Sequence, residues 1–198
     1  MSAARLPVVL LTAIVLAFAA AGCGGGDDGG NGDSASPAPV DVWMASVCGA
    51  FVNWGKSLQA GVQDLGSATR DSKNLKSYKA TFVTTLEGAE ESSGEMVEKV
   101  KEAGPPDLAQ GDAIQDDLVS TLEKIPESFS RAADKAKDLP TSDRQSFANG
   151  VRPLSEDLEE SLSTVSDEFN SLSDRYQSPD IDDAKDGEPA CQQFSTAG

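Results

Sequence analysis

Apolar residues in this 198-residue chain recur at alternating steps of three and four through four long blocks. The first block carries Val47, Phe51, Trp54, Leu58, Val62 and Leu65. The second carries Leu75, Tyr78, Phe82, Leu86, Ala89, Met96, Val100 and Ala103, with polar Ser93 at one register position. Ile114, Leu118, Leu122, Ile125, Phe129, Ala132, Ala136 and Leu139 form the third, and Phe147, Val151, Leu154, Leu158, Leu162, Val165, Phe169, Leu172 and Tyr176 the fourth. At 3.6 residues per turn, this spacing lines one stripe of a helix, whereas a half-buried strand alternates every second residue. No block alternates in that way, so the chain is predicted to be all-α.

The punctuation agrees. Gly66 to Lys73 is a polar break, Gly104-Pro105-Pro106 ends the second block as a glycine cap followed by helix-stopping prolines, and Pro140 ends the third. Ser142 with Gln145 reads as a capping box opening the fourth block. Short connections place sequential helices antiparallel, which predicts an up-down-up-down four-helix bundle over residues 41–198. Pro126 and Pro153 fall inside helical patterns and are expected to kink or break their helices. Gly88 and Gly94 each weaken the second helix by about 1 kcal/mol relative to alanine.

The first two dozen residues have a different character. Met1 to Arg5 carry one positive side chain, Leu6 to Phe18 are apolar apart from Thr12, and Ala20-Ala21-Gly22 lead to Cys23. This order is that of a secretory signal, predicted over residues 1–22, and its apolar run is short for a permanent span. The Ala20 to Cys23 segment resembles the bacterial lipobox. That resemblance implies cleavage after Gly22, diacylglycerol on Cys23 and an anchor on the extracytoplasmic face of the cell membrane. Ala20 stands where the lipobox usually has leucine, and Ala19-Ala20-Ala21 offers an ordinary cleavage site as the alternative. Residues 23–40, rich in Gly, Asp, Ser and Pro, read as a flexible tether because they have too little apolar surface to offset their ordering entropy. Two acyl chains on one cysteine suffice for stable anchoring.

Lipidation of Cys23 leaves Cys48 and Cys191 as a pair. Cys48 lies near the start of the first helix and Cys191 after the fourth, and an even number of antiparallel helices brings both to one end. A disulfide there, stapling the termini end of the bundle, contributes roughly 4 to 5 kcal/mol on the chain-entropy account. The two cysteines are not closely spaced as in a Cys-x-x-Cys redox site, which favours a structural staple.

Charge and composition narrow the function classes. Thirty-three acids against sixteen bases give a net charge of −17, and processing at Cys23 removes one further base, Arg5. Such a surface repels nucleic acid and anionic headgroups, so no nucleic-acid partner is predicted. The chain contains no histidine. That excludes Ser-His-Asp and Cys-His catalysis, imidazole zinc sites and the Glu-x-x-His di-iron pattern.

The remaining polar clusters read as solvated surface. Asp180, Asp182, Asp183, Asp186, Gly187 and Glu188 invite comparison with a calcium loop, but the register puts Ala184 and Gln193 where ligands are required. They read instead as an acidic connection to Cys191. Glu91, Glu95, Glu98 and Glu102 line one side of the second helix within pairing distance of Lys99 and Lys101. Glu156, Glu159 and Glu160 on the fourth helix read in the same way, and Arg70, Lys73, Lys76 and Lys79 form a local basic stripe. No catalytic residue, metal site or cofactor is predicted. Trp43, Phe51 and Trp54 are read mainly as core. Trp43 precedes the strongest part of the stripe, which makes it the best candidate of the three for exposure and the candidate binding residue.

With Ala20 to Cys23, the segment Val47-Cys48-Gly49-Ala50-Phe51-Val52-Asn53-Trp54, the Ala103-Gly104-Pro105-Pro106 turn and the terminal Cys191, the chain resembles small helical lipoproteins and secreted proteins of actinobacteria. The resemblance implies surface localisation and a helical fold and carries over no catalytic residue. The leading expectation is a non-enzymatic, membrane-tethered interaction module presenting a bundle face to another envelope component. The alternatives are a carrier of a small apolar ligand held between helices bent apart at Pro126 and Pro153, and an enzyme using carboxylates alone. Substituting Cys23→Ser is expected to abolish lipid attachment, read as the loss of the acyl mass from the mature N-terminal peptide. An unmodified start at Gly22 in the native host would establish ordinary signal cleavage instead.

Overall fold

The computed structural model describes residues 36–71 and 74–195, where the periodicity takes the form of seven helices. The signal segment, Cys23 and the tether as far as residue 35 lie outside the described residues. The helices are α1 (Val40–Asp71), α2 (Leu75–Ala103), α3 (Gly111–Leu122), α4 (Lys124–Lys137), α5 (Arg144–Arg175), α6 (Pro179–Gly187) and α7 (Pro189–Ser195). The described residues contain no strand, and their isolated bridge pairs Ala38 with Pro106.

Local chemistry sets most of the boundaries. Asn74 caps α2 by accepting the Ser77 N–H at 2.8 Å, and Gly104 ends it in a left-handed conformation, with φ at 68°. At α5 the cap is Asp143 rather than the expected Ser142. Its carboxylate accepts the Ser146 N–H at 2.9 Å and the Ser146 hydroxyl at 2.8 Å. The backbone bond from Ser146, then the hydroxyl bonds from Ser146 and Ser142, hold the Asp143 pKa below its ordinary value.

The two internal prolines behave differently. Pro126 cannot donate to the carbonyl of Leu122, and the third apolar block divides at Glu123 into α3 and α4. Pro153 leaves α5 unbroken. Both Pro153 and Asn149, the residue one turn earlier, are exposed, so water can bond the carbonyl that the proline leaves unpaired.

Two further expectations are corrected. The acidic stretch after Tyr176 is helical, because Pro179 and Pro189 each stand at a first helical position and Asp180 and Asp182 complement the amino-terminal dipole of α6. The end of the predicted tether is fixed on the domain. The Ala38 N–H donates to the Pro105 carbonyl at 2.9 Å, the Asp107 N–H donates to the Ala38 carbonyl at 2.7 Å, and α1 begins at Val40. Pro105 has no N–H of its own, and the incoming chain supplies the donor for its carbonyl.

The core lies around α2, which packs on α1 along one side and on α4 along the other. Ser93, Val100, Leu122 and Ala136 are completely buried or nearly so, and Met96, Val97, Ala132 and Ala133 surround them. α5 packs on α4 and α3, burying Phe147, Leu154 and Val165, while α6 and α7 pack on α1. Lys124 pairs with Glu168 and Lys135 with Asp157 across the α4–α5 contact.

One glycine is required by a close approach. A Cβ on Gly111 would lie 2.0 Å from the Pro106 carbonyl oxygen, which is backbone and cannot rotate away. Gly111→Ala is therefore expected to lower stability by about 1–3 kcal/mol through overpacking, measured by thermal or urea unfolding. Gly55→Ala, which has open space around the new methyl, is expected to be neutral or stabilising.

Candidate interaction face

α1 carries two adjacent apolar stripes, and the helices around it treat them differently. Trp43, Val47, Ala50, Trp54 and Gly61 form the first, at helical spacing. It faces the core. The Trp43 indole N–H donates to the Gln115 carbonyl oxygen on α3 at 3.1 Å, and the Trp54 indole N–H donates to the Ser93 hydroxyl on α2 at 2.9 Å. Gly61 lies close to Thr85 of α2.

These two indoles are seated on short polar relays. Gln115 passes its own amide hydrogen to the Val100 carbonyl at 2.7 Å, and Ser93 donates to the Ala89 carbonyl at 2.6 Å. Ser93 occupies an apolar register position because a hydroxyl there satisfies the Trp54 N–H without leaving a buried donor unpaired. The prediction that Trp43 is exposed is corrected by this geometry. The residue is 4 % exposed, and the following turns of α1 carry it beneath α3 onto Gln115, so it cannot serve as a surface contact.

The second stripe is Met44, Cys48, Phe51, Gly55, Leu58 and Val62, at steps of four and three along the neighbouring flank of α1. Its cover changes along the helix. Cys48 is joined to Cys191 of α7 by a disulfide with Cα atoms 5.1 Å apart, placing the α6–α7 segment over the amino-terminal half. Phe51 meets Phe169 of α5 edge to face, with ring centroids 6.0 Å apart, and also meets Trp54 at 6.2 Å. Beyond that contact, Leu58 is half-buried and Val62 is 41 % exposed. Phe169 is itself 40 % exposed. α1 and α5 therefore meet through their aromatic side chains and do not pack along their lengths, in contrast to α1 with α2 or α2 with α4. Sequence reasoning placed Phe51, Leu58 and Val62 in a single core stripe. The signal that they lie on another flank was the parallel run through Met44 and Cys48.

The acidic clusters form ion pairs at the surface. Lys99 pairs with Glu102 at 2.6 Å, and Lys101 lies between Glu98 at 2.9 Å and Glu123 at 3.0 Å. Hydrogen bonds to these carboxylates raise the pKa of both ammonium groups. Such exposed pairs contribute little to stability. Glu156, Glu159 and Glu160 are exposed on α5. Lys79 of the basic stripe donates to the Leu139 carbonyl at 3.0 Å and to that of Lys137, closing the end of α4. Among the described residues, no three acidic or cysteine side chains are placed to hold a metal ion, and no helix is long and apolar enough to cross a membrane. A cavity of about 20 Å³ between α4 and α5, lined in part by Arg131, Lys135, Leu154 and Asp157, has room for one water molecule.

Comparison with protein-family models, with curated proteins and with solved structures finds no match to this chain. The local geometry makes one further expectation testable. Trp43→Phe keeps the ring but leaves the Gln115 oxygen buried without its donor, and is expected to cost about 1–3 kcal/mol in urea unfolding. Combining it with Gln115→Leu is not expected to recover that loss, because the buried Val100 carbonyl then loses the amide donor that Gln115 supplies.

Proposed function

We propose that this chain is a lipid-anchored, non-enzymatic interaction module on the extracytoplasmic face of the cell membrane, held there through Cys23. Its helices are taken as an up-down-up-down arrangement of α1, α2, α3–α4 and α5. Packing between chain neighbours α1 and α2, and α4 and α5, supports that order. The observation that carries the functional reading is the thin α1–α5 contact, where Phe51 meets Phe169, Phe169 stays 40 % exposed, and Val62, on the same α1 stripe as Phe51, stays 41 % exposed. An apolar edge on an otherwise strongly charged surface marks an association site.

The occupant fitted to it is an amphipathic helix of another envelope protein. α6 and α7 seat short helices on the same flank of α1, so this flank accepts helical cover. From Pro153 to Asp174, α5 carries seven acids and no base, so the partner helix needs lysine or arginine beside its apolar ridge.

A photo-reactive amino acid at position 62 is expected to cross-link that partner in whole cells, whereas one at Glu91 is not. Val62→Glu should reduce recovery about tenfold with unchanged helical content, the effect of losing one well-placed apolar contact. Equal recovery from Val62→Glu, or cross-linking of a small lipophilic molecule in place of a protein, would reject the reading.

A further inference from the structure

Residues 177–195, which comprise α6 and α7, pack on α1 and are fastened at both ends. At the root, Asp117 of α3 accepts the Arg175 guanidinium at 2.8 Å and the Tyr176 hydroxyl at 2.7 Å. At the far end, Cys191 is bonded to Cys48. Between them the segment contributes little to the core. α6 has no buried residue, Ile181 and Ala184 are half-buried, and Cys191 is 3 % exposed. Its polar side-chain bonds include internal ones, from Gln192 to the Asp186 carbonyl and from the Ala190 N–H to Glu188. Helices of nine and seven residues do not persist on their own in water, and this segment also concentrates Asp180, Asp182, Asp183, Asp186 and Glu188 against one lysine.

We propose that α6–α7 is a redox-releasable cover over the amino-terminal half of the second α1 stripe. A dithiol reductant attacks through its thiolate at Cys48 Sγ, because Cys48 is the more exposed of the two cysteines. The S–S bond breaks, and the Cys191 thiolate leaves. The second thiol of the reductant then displaces Cys48 from the mixed disulfide. The reductant ends as a disulfide, two electrons have passed to the protein, and its two protons reside on Cys48 and Cys191. The freed segment swings from the Asp117 clasp. Met44 and Cys48 are uncovered and become continuous with Phe51, Gly55, Leu58 and Val62, so a half-length apolar edge becomes a strip along most of α1. This inference concerns the cover alone and stands whether or not the partner proposed above exists.

The test is hydrogen exchange read by mass spectrometry on the full mature protein, oxidised and after dithiothreitol. Reduction is expected to speed exchange at least tenfold in residues 177–195, bringing them to the rate of an unstructured peptide while α2 and α4 amides stay protected, and to make Cys191 alkylatable. Reoxidation should restore protection, and Cys191→Ser should show the open pattern without reductant. Unchanged protection of residues 177–195 after complete reduction would show that packing holds the segment and would overturn the proposal. Loss of protection throughout α1 to α5 would overturn it also, by making the disulfide a staple of the whole domain.

Discussion

Two indole hydrogen bonds decide how α1 lies on the rest of the domain. Burial of apolar surface is non-directional and would tolerate α1 rotated by a fraction of a turn about its axis. The bonds from Trp43 to Gln115 and from Trp54 to Ser93 do not tolerate it, since a rotation that broke either would leave a polar group unpaired inside the core. The two indoles lie eleven residues apart, about three turns, and so fix both the rotation and the axial position of the helix. Because Ser93 and Gln115 sit on different helices, they also tie α1 to α2 and α3 together.

Once α1 is oriented by its first stripe, the second stripe is left pointing away from α2. Few elements remain to cover it. α5 is engaged with α3 and α4 and reaches α1 through the Phe51–Phe169 contact, while α6 and α7 are short and α6 is strongly acidic. The disulfide ties to α1 a segment with one buried apolar side chain, Cys191, among its described residues. The exposed Val62 and the disulfide-bonded Cys48 thus lie on one strip that the neighbouring helices cover unequally.

The sequence pattern was informative wherever the signal was local. Four blocks at helical spacing, Gly104 before two prolines and the position of Pro126 each rest on interactions within a few residues, and the corresponding helix ends lie close to where these residues place them. The short helices α6 and α7 were missed because an acidic, proline-marked stretch lacks an apolar stripe long enough to register, although proline at the first helical position was the available sign. The exposure expected of Trp43 failed for a different reason. A tryptophan at the edge of a periodic block is equally consistent with a surface lip and with a buried seat, and the group that decides between them, Gln115, lies 72 residues away.

By itself the sequence determined the all-helical class, the segments that turn and the chemistry that histidine would have been needed to perform, because these follow from composition and short-range periodicity. It also held the two cysteines whose pairing closes the chain. Only the tertiary structure decided which flank of α1 is buried, why a serine occupies a core position and where apolar surface is left uncovered. Those outcomes depend on hydrogen bonds and side-chain contacts between residues far apart in the chain, and a helix with two adjacent apolar stripes does not state which of them its neighbours will take.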